Sequence, residues 1–381
     1  MNDTANTRLK TDSSTSRAPL GRHRSPRAGG IAVACLAAVA WTGFAREARP
    51  QVPMIRSGDP VPRDVRELYE SGCRYLARTQ QEATGTWQDP QSGPGVTGMG
   101  LMVLLASGED PNFGAYRLPI RRAVRSIIAS QDEKTGYFGN PQGGSTSMYH
   151  HGFAMLALAE AYGVVDDRGL WSEAGGSGAG RSIGESLQGA VQLAAVSAAS
   201  NPTGAWRYSP ESKDADTSVS GAVMMGLLGA RNAGIEVPDA TIEKAIKYFT
   251  ASTAASGLVG YAGPQGGSDA TTSIGTLVLA IARRKDLPQF TQASEYLKRQ
   301  TQAGSRQNAY VSYTRYYRAQ ALLQADPDAW QQWNSQLVQE MKGQRLPDGS
   351  FVSPGETPVV GTCLTLLALA VNYRFLPIYE R

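Results

Sequence analysis

Cysteine and histidine are scarce in this 381-residue chain, with three of each. Cys35 falls in an N-terminal apolar run, and Cys73 and Cys363 fit no metal-ligand spacing such as CxxC. Only His150 and His151 lie beyond residue 45. No metal, no cofactor and no disulfide framework is expected from so few ligands. Runs with the alternation of strands are also few, whereas glycine is plentiful at 42 residues. That combination points to helices joined by glycine-rich loops.

An excess of one charge sign is missing from the body of the chain as well. Residues 1–45 hold Arg8, Lys10, Arg17, Arg22, Arg24 and Arg27 against Asp3 and Asp12, which accounts for the whole formal charge of +4. The remainder is close to neutral and offers no basic surface for nucleic acid.

The leader has its own pattern. Basic residues precede an apolar run from Ile31 to Ala45, and small residues stand at Gly43 and Ala45. This reads as an export signal. At about 15 residues the run is short for a helix crossing ~30 Å of hydrocarbon. Residues 1–45 are expected to be a signal peptide cleaved near Ala45 or an uncleaved anchor in the inner membrane. Either way the rest of the chain is exported, to the periplasm or beyond. Residues 46–62, proline-rich and without periodicity, read as a linker, and 63–381 as the folded domain.

Along that domain one short pattern recurs. A helical stretch, often ending in Gln, is followed by a glycine turn carrying an aromatic or bulky residue. It appears as Gln80…Gly85-Thr86-Trp87, Gln131…Gly136-Tyr137-Phe138, Gly204-Ala205-Trp206, Gly257…Gly260-Tyr261 and Asp348-Gly349-Ser350-Phe351. A degenerate copy lies near Gln302-Ala303-Gly304. The period, about 45 to 70 residues, suits a two-helix repeat. Each turn is preceded by an amphipathic helix and followed by one that is apolar on nearly all faces. Six of each, in alternation, predict two concentric rings, with the apolar helices inside around a central cavity.

These repeated turns followed by small-residue helices resemble the prenyltransferase and squalene-oxidase repeat superfamily, from about Asp64 to Tyr373. The resemblance implies an all-α, (α/α)6 toroid. It also names the chemistry to look for. Terpenoid cyclases of this type protonate an alkene with Asp-x-Asp-Asp-Thr, whose middle aspartate is the acid. Here Asp214-Ala215-Asp216-Thr217 opens the third inner helix. Aligned on Thr217, the position of the acid is Ala215. Shifted by one, Asp214 and Asp216 fit but Thr217 stands where an aspartate belongs. Asp216 or Thr217 also suits a plain N-cap. Zinc protein prenyltransferases in the superfamily use Asp, Cys and His ligands, and the Asp-x-Cys pair is absent here. A sugar-active enzyme on the same barrel would need paired carboxylates, and nothing in the sequence pairs them.

The expected function is therefore that of an exported toroid without cyclase or zinc prenyltransferase activity. It would bind an isoprenoid, another apolar ligand or a protein partner. The alternative is a terpenoid-cyclase-type enzyme using Asp214 and Asp216, with a sugar enzyme third. Residues expected around the mouth of the inner ring are Tyr149, His150, His151, Asp269, Tyr313, Arg315, Tyr316 and Glu356. A pocket for a polar head group over an apolar cavity would fit such a set. Glu356 is the expected partner of Arg315.

Overall fold

The computed structural model describes residues 61–87, 93–139, 147–171, 180–303, 310–376 and 378. Residues 1–45, read above as an export signal or anchor, most of the expected linker and residues 304–309 lie outside the described residues.

Twelve α-helices are described, and no extended strands among the described residues. The outer helices are α1 (Arg63–Thr79), α3 (Arg117–Ala129), α5 (Ile183–Ser200), α7 (Asp239–Ala251), α9 (Pro288–Ala303) and α11 (Pro327–Gln344). The inner helices are α2 (Pro94–Leu105), α4 (Met148–Ala161), α6 (Thr217–Asn232), α8 (Asp269–Ile281), α10 (Val311–Ala325) and α12 (Pro358–Ala370). Each inner helix packs on the next, and α12 returns to α2. The result is the expected (α/α)6 toroid.

Burial follows the two sequence patterns. In α1 the buried positions Val65, Leu68, Tyr69 and Leu76 recur at helical spacing. In α2 and α12 nearly every residue is buried. Small residues let inner helices approach closely. A Cβ on Gly152 of α4 would come within 2.5 Å of the Ala222 backbone in α6, so glycine there sets the distance between two helices.

The recurring turn has a distinct job. The Gln131 amide Nε2 donates to the carbonyls of Gly136 (2.8 Å) and Ser186 (2.8 Å), holding its own turn to the next outer helix. Gln80 does the same with Gly85 and Pro119. The indoles of Trp87 and Trp206 donate back to the preceding outer helix, to Leu76 and Ala194. These contacts tie each turn to the outer helix before it and to the first turn of the next. Gly136 has φ +79°, and a Cβ there would overlap the carbonyl of Gly189 on α5. Only glycine allows both the left-handed backbone and that contact.

Across the toroid the ring centre is narrow. Tyr149 and Phe153 of α4 meet Tyr313 and Tyr316 of α10, the opposite inner helix, with ring centroids 6.1 and 6.0 Å apart. Tyr317 joins the same stack. Two concentric rings predict a central cavity. Four large aromatics on two opposing helices instead bridge the centre at this level. Cys73 and Cys363 are both buried thiols.

Candidate functional site

The altered acidic motif sits at the start of α6, and its aspartates do not act as a pair. Asp216 is the N-cap residue: its Oδ1 accepts the Val219 amide at 2.9 Å. Its Oδ2 is buried without a hydrogen-bond partner, and the Arg207 Nε lies 3.9 Å away. Burial pushes the Asp216 carboxyl above its ordinary pKa, against the lowering pull of the Val219 amide and Arg207. Asp214 is largely exposed and pairs with the Arg207 Nη1. Thr217 is buried, donating from its amide to Tyr261 and from its hydroxyl to Gly260. It ties α6 to the turn of the following repeat. The motif thus supplies a helix cap, a repeat-to-repeat anchor and one uncommitted buried carboxyl oxygen.

His150 and His151 part ways. His151 is fully buried. Its Nδ1 accepts the Phe138 amide at 3.2 Å, and its Nε2 lies 3.1 Å from the Ala190 carbonyl. In three other repeats the matching turn amide is accepted by a hydroxyl: Trp206 by Ser220, Val259 by Thr272 and Phe351 by Thr362. His151 therefore does the structural work of a serine or threonine. Burial lowers its pKa to about 4. His150 abuts the start of α2, with its Nδ1 near Gly93 and Gly95, and burial lowers its pKa too.

Arg315 does not pair with Glu356. Its Nη2 meets Glu340 Oε1 of α11 at 2.5 Å. Glu356 accepts the Tyr313 amide at 3.1 Å and so caps the first turn of α10. Arg315 reaches the outer ring at Glu340, Tyr316 meets Phe153 at the centre, and Tyr313 borders both the aromatic bridge and the cavity beside Arg315.

A cavity of about 530 Å³ opens beside this arginine, between α8, α10 and α11. Its wall includes Asp269, Tyr313, Arg315, Arg318, Trp333 and Glu340. Ser218 and Tyr261 extend it toward the start of α6. At its rim Tyr310 holds a left-handed backbone, φ +62°, unusual for a non-glycine residue. Of the residues anticipated from sequence, Asp269, Tyr313 and Arg315 come together here. Tyr149 and Tyr316 lie in the aromatic bridge, Glu356 stands behind α10, and His151 is elsewhere. Arg207, Tyr261, Arg318, Trp333 and Glu340 were not anticipated. The signal for Arg318 was available: it follows Arg315 by three residues on one helical face. Among the described residues no cluster of three or more metal-ligating side chains occurs, and no helix is long and apolar enough to cross a membrane.

The glycine-rich segment after α4 lies along α3, in its described part. Arg121 and Arg125 donate to the carbonyls of Asp166, Gly169 and Leu170, and the Arg181 guanidinium reaches Gln131.

The fold is an (α/α)6 toroid, and it is shared with type II terpene cyclases. Type II terpene cyclase MstE from Scytonema, without ligand, superposes with a TM-score of 0.55 at 15% identity, covering 82% of this chain and 99% of that one. A substituted form of the same enzyme, in complex with the substrate geranylgeranyl dihydroxybenzoate, gives 0.54 at 15% identity over 82% and 98%. A protein from Actinoplanes gives 0.53 at 14% identity over 81% and 99%. Residues 66–361 match the family described as Domain of unknown function (DUF6288), and the chain belongs to that family. No curated protein sequence matches it.

Proposed function

We propose that this protein is a non-cyclising toroid that binds a small ligand with an apolar body, and that it works outside the cytoplasm. The basic leader and the apolar run at 31–45 support export. The observation that carries the ligand reading is the division of space inside the ring. Aromatics from α4 and α10 meet across the centre and bridge it at that level. The cavity of about 530 Å³ lies to one side of that bridge, walled by the starts of α6, α8 and α10 and by α11. Its size suits a small molecule. Ala215 in place of the acid, and a cap bond from Asp216, fit the same reading.

One observation favours a second reading. The Asp216 Oδ2 is buried without a hydrogen bond in reach, and burial raises the carboxyl's pKa against the pull of Arg207, the direction a general acid requires. Native mass spectrometry of the full chain, exposed to a lipid extract spiked with geranylgeraniol, separates the two. The expected result is a small-molecule adduct of unaltered mass, retained equally by the wild type and Asp216→Asn. A cyclised product from the wild type, absent with the variant, would establish the enzyme instead. No adduct with either protein would leave a scaffold that binds a protein partner.

A further inference from the structure

We infer that the cavity between α8, α10 and α11 is a carboxylate-binding site, and that Arg318 is the residue that grips the carboxylate. This rests on the ligand-binding reading above and names the ligand class. The argument starts from burial. Arg318 is about 3% exposed, and a buried guanidinium needs its donors met. Only Nη1 has an ionic partner, the Asp269 Oδ2 at 3.6 Å. Nε and Nη2 are buried without any hydrogen-bond partner. Those two nitrogens form one edge of the planar group, with parallel N–H bonds. That edge accepts the two oxygens of a carboxylate side by side.

The neighbours decide what sort of anion fits. Arg315 is satisfied by Glu340, and Asp269 faces Arg318 through Nη1 alone while also accepting from the Tyr296 hydroxyl at 3.3 Å. Two arginines stand against two carboxylates, so the lining carries no net charge, and what is left over is one unmatched pair of donors, enough for a single carboxylate and not for a multiply charged anion. A diphosphate would bring excess negative charge beside Asp269 and Glu340. Trp333, Leu337 and Tyr313 supply an apolar and aromatic wall beyond the charged end. The ligand class is an organic monocarboxylate with an aromatic or compact apolar body.

The test compares 4-hydroxybenzoate with 4-hydroxybenzamide and with inorganic pyrophosphate, titrated into the full wild-type chain by calorimetry and ligand-observed NMR. The acid is expected to bind at least tenfold more tightly than the amide, and pyrophosphate not to displace it. Arg318→Gln is expected to lose that tenfold preference. Arg318→Lys, which keeps a charge beside Asp269 but lacks the fork, should restore part of it. Unfolding temperatures show whether either variant has lost its fold, and the acid-against-amide comparison on the wild type stands without them. Equal binding of acid and amide, preferential binding of pyrophosphate, or no binding of the acid at millimolar concentration would each overturn the assignment. Equal binding would leave the ligand-binding reading intact, whereas conversion of geranylgeraniol would overturn that reading and leave this site to be judged on the acid alone.

Discussion

The α-carbon of Gly349 lies against the backbone carbonyl of Ser71, so the turn of the last repeat closes the ring onto the first outer helix. A Cβ at Gly349 would stand 2.5 Å from that oxygen, and its φ is +91°. Ring closure therefore depends on a residue without a side chain, at a point where neither backbone can yield.

Gly349→Ala is expected to destabilise the toroid by about 2–4 kcal/mol, combining left-handed backbone strain with a backbone clash. Gly343→Ala makes the control. That glycine lies within helix α11, and nothing stands within 4 Å of the added methyl. It should stabilise by about 0.5–1 kcal/mol through helix propensity. Urea unfolding of both variants would show opposite signs. The same sign for both would contradict the closure argument.

His151 makes stability sensitive to acid. Its folded pKa is about 4, below an unfolded value of about 6.5. The neutral ring is favoured in the fold, so the unfolded chain binds the extra proton between those values. Stability is full above pH ~6.5 and falls as the pH drops toward 4, by roughly 3 kcal/mol from this group. His150 acts in the same direction. Urea midpoints measured from pH 7.5 to 4.5 should decline steeply for the wild type and less so for His151→Gln.

Asp216 should respond differently to two substitutions. Asp216→Asn keeps an oxygen to accept the Val219 amide and removes the buried charge. Because the folded pKa of Asp216 is raised, its charged form weakens the fold as pH rises through that value. The asparagine variant is expected to match or exceed wild-type stability at pH 7. Asp216→Ala removes the cap and should cost about 1–2 kcal/mol. A marked loss with asparagine would mean that the Arg207 attraction outweighs desolvation.

Removing part of the aromatic bridge should open the ring centre. Phe153 is buried and meets Tyr316 from the opposite helix. Phe153→Ala is expected to cost about 3–5 kcal/mol through the cavity it leaves. Saturating benzene should raise the unfolding temperature of this variant and not of the wild type, because a dry apolar cavity takes up such a molecule. No recovery would indicate that the neighbouring tyrosines collapse into the space.

How much of this was legible beforehand varies from element to element. The Gln131-to-Phe138 pattern gave the turn, and the alternation of amphipathic and all-apolar stretches gave six outer and six inner helices. Arg315 shows the limit. Its need for a carboxylate was plain, but the partner is Glu340 of the neighbouring outer helix and not Glu356 at the next inner helix. His151 shows it too, since a histidine doing the work of Ser220 or Thr272 has no signature in composition.

The sequence by itself determined the helices, their alternation and the ring they build, because those depend on local backbone preferences and on which faces are apolar. It also determined that the acidic motif is altered. Only the tertiary structure decided that Tyr149 and Phe153 reach Tyr313 and Tyr316 across the ring, and that Arg318 keeps one edge of its guanidinium unmatched. Those relationships join residues far apart in the chain, and their geometry is set by side-chain direction and helix separation, which no local pattern encodes.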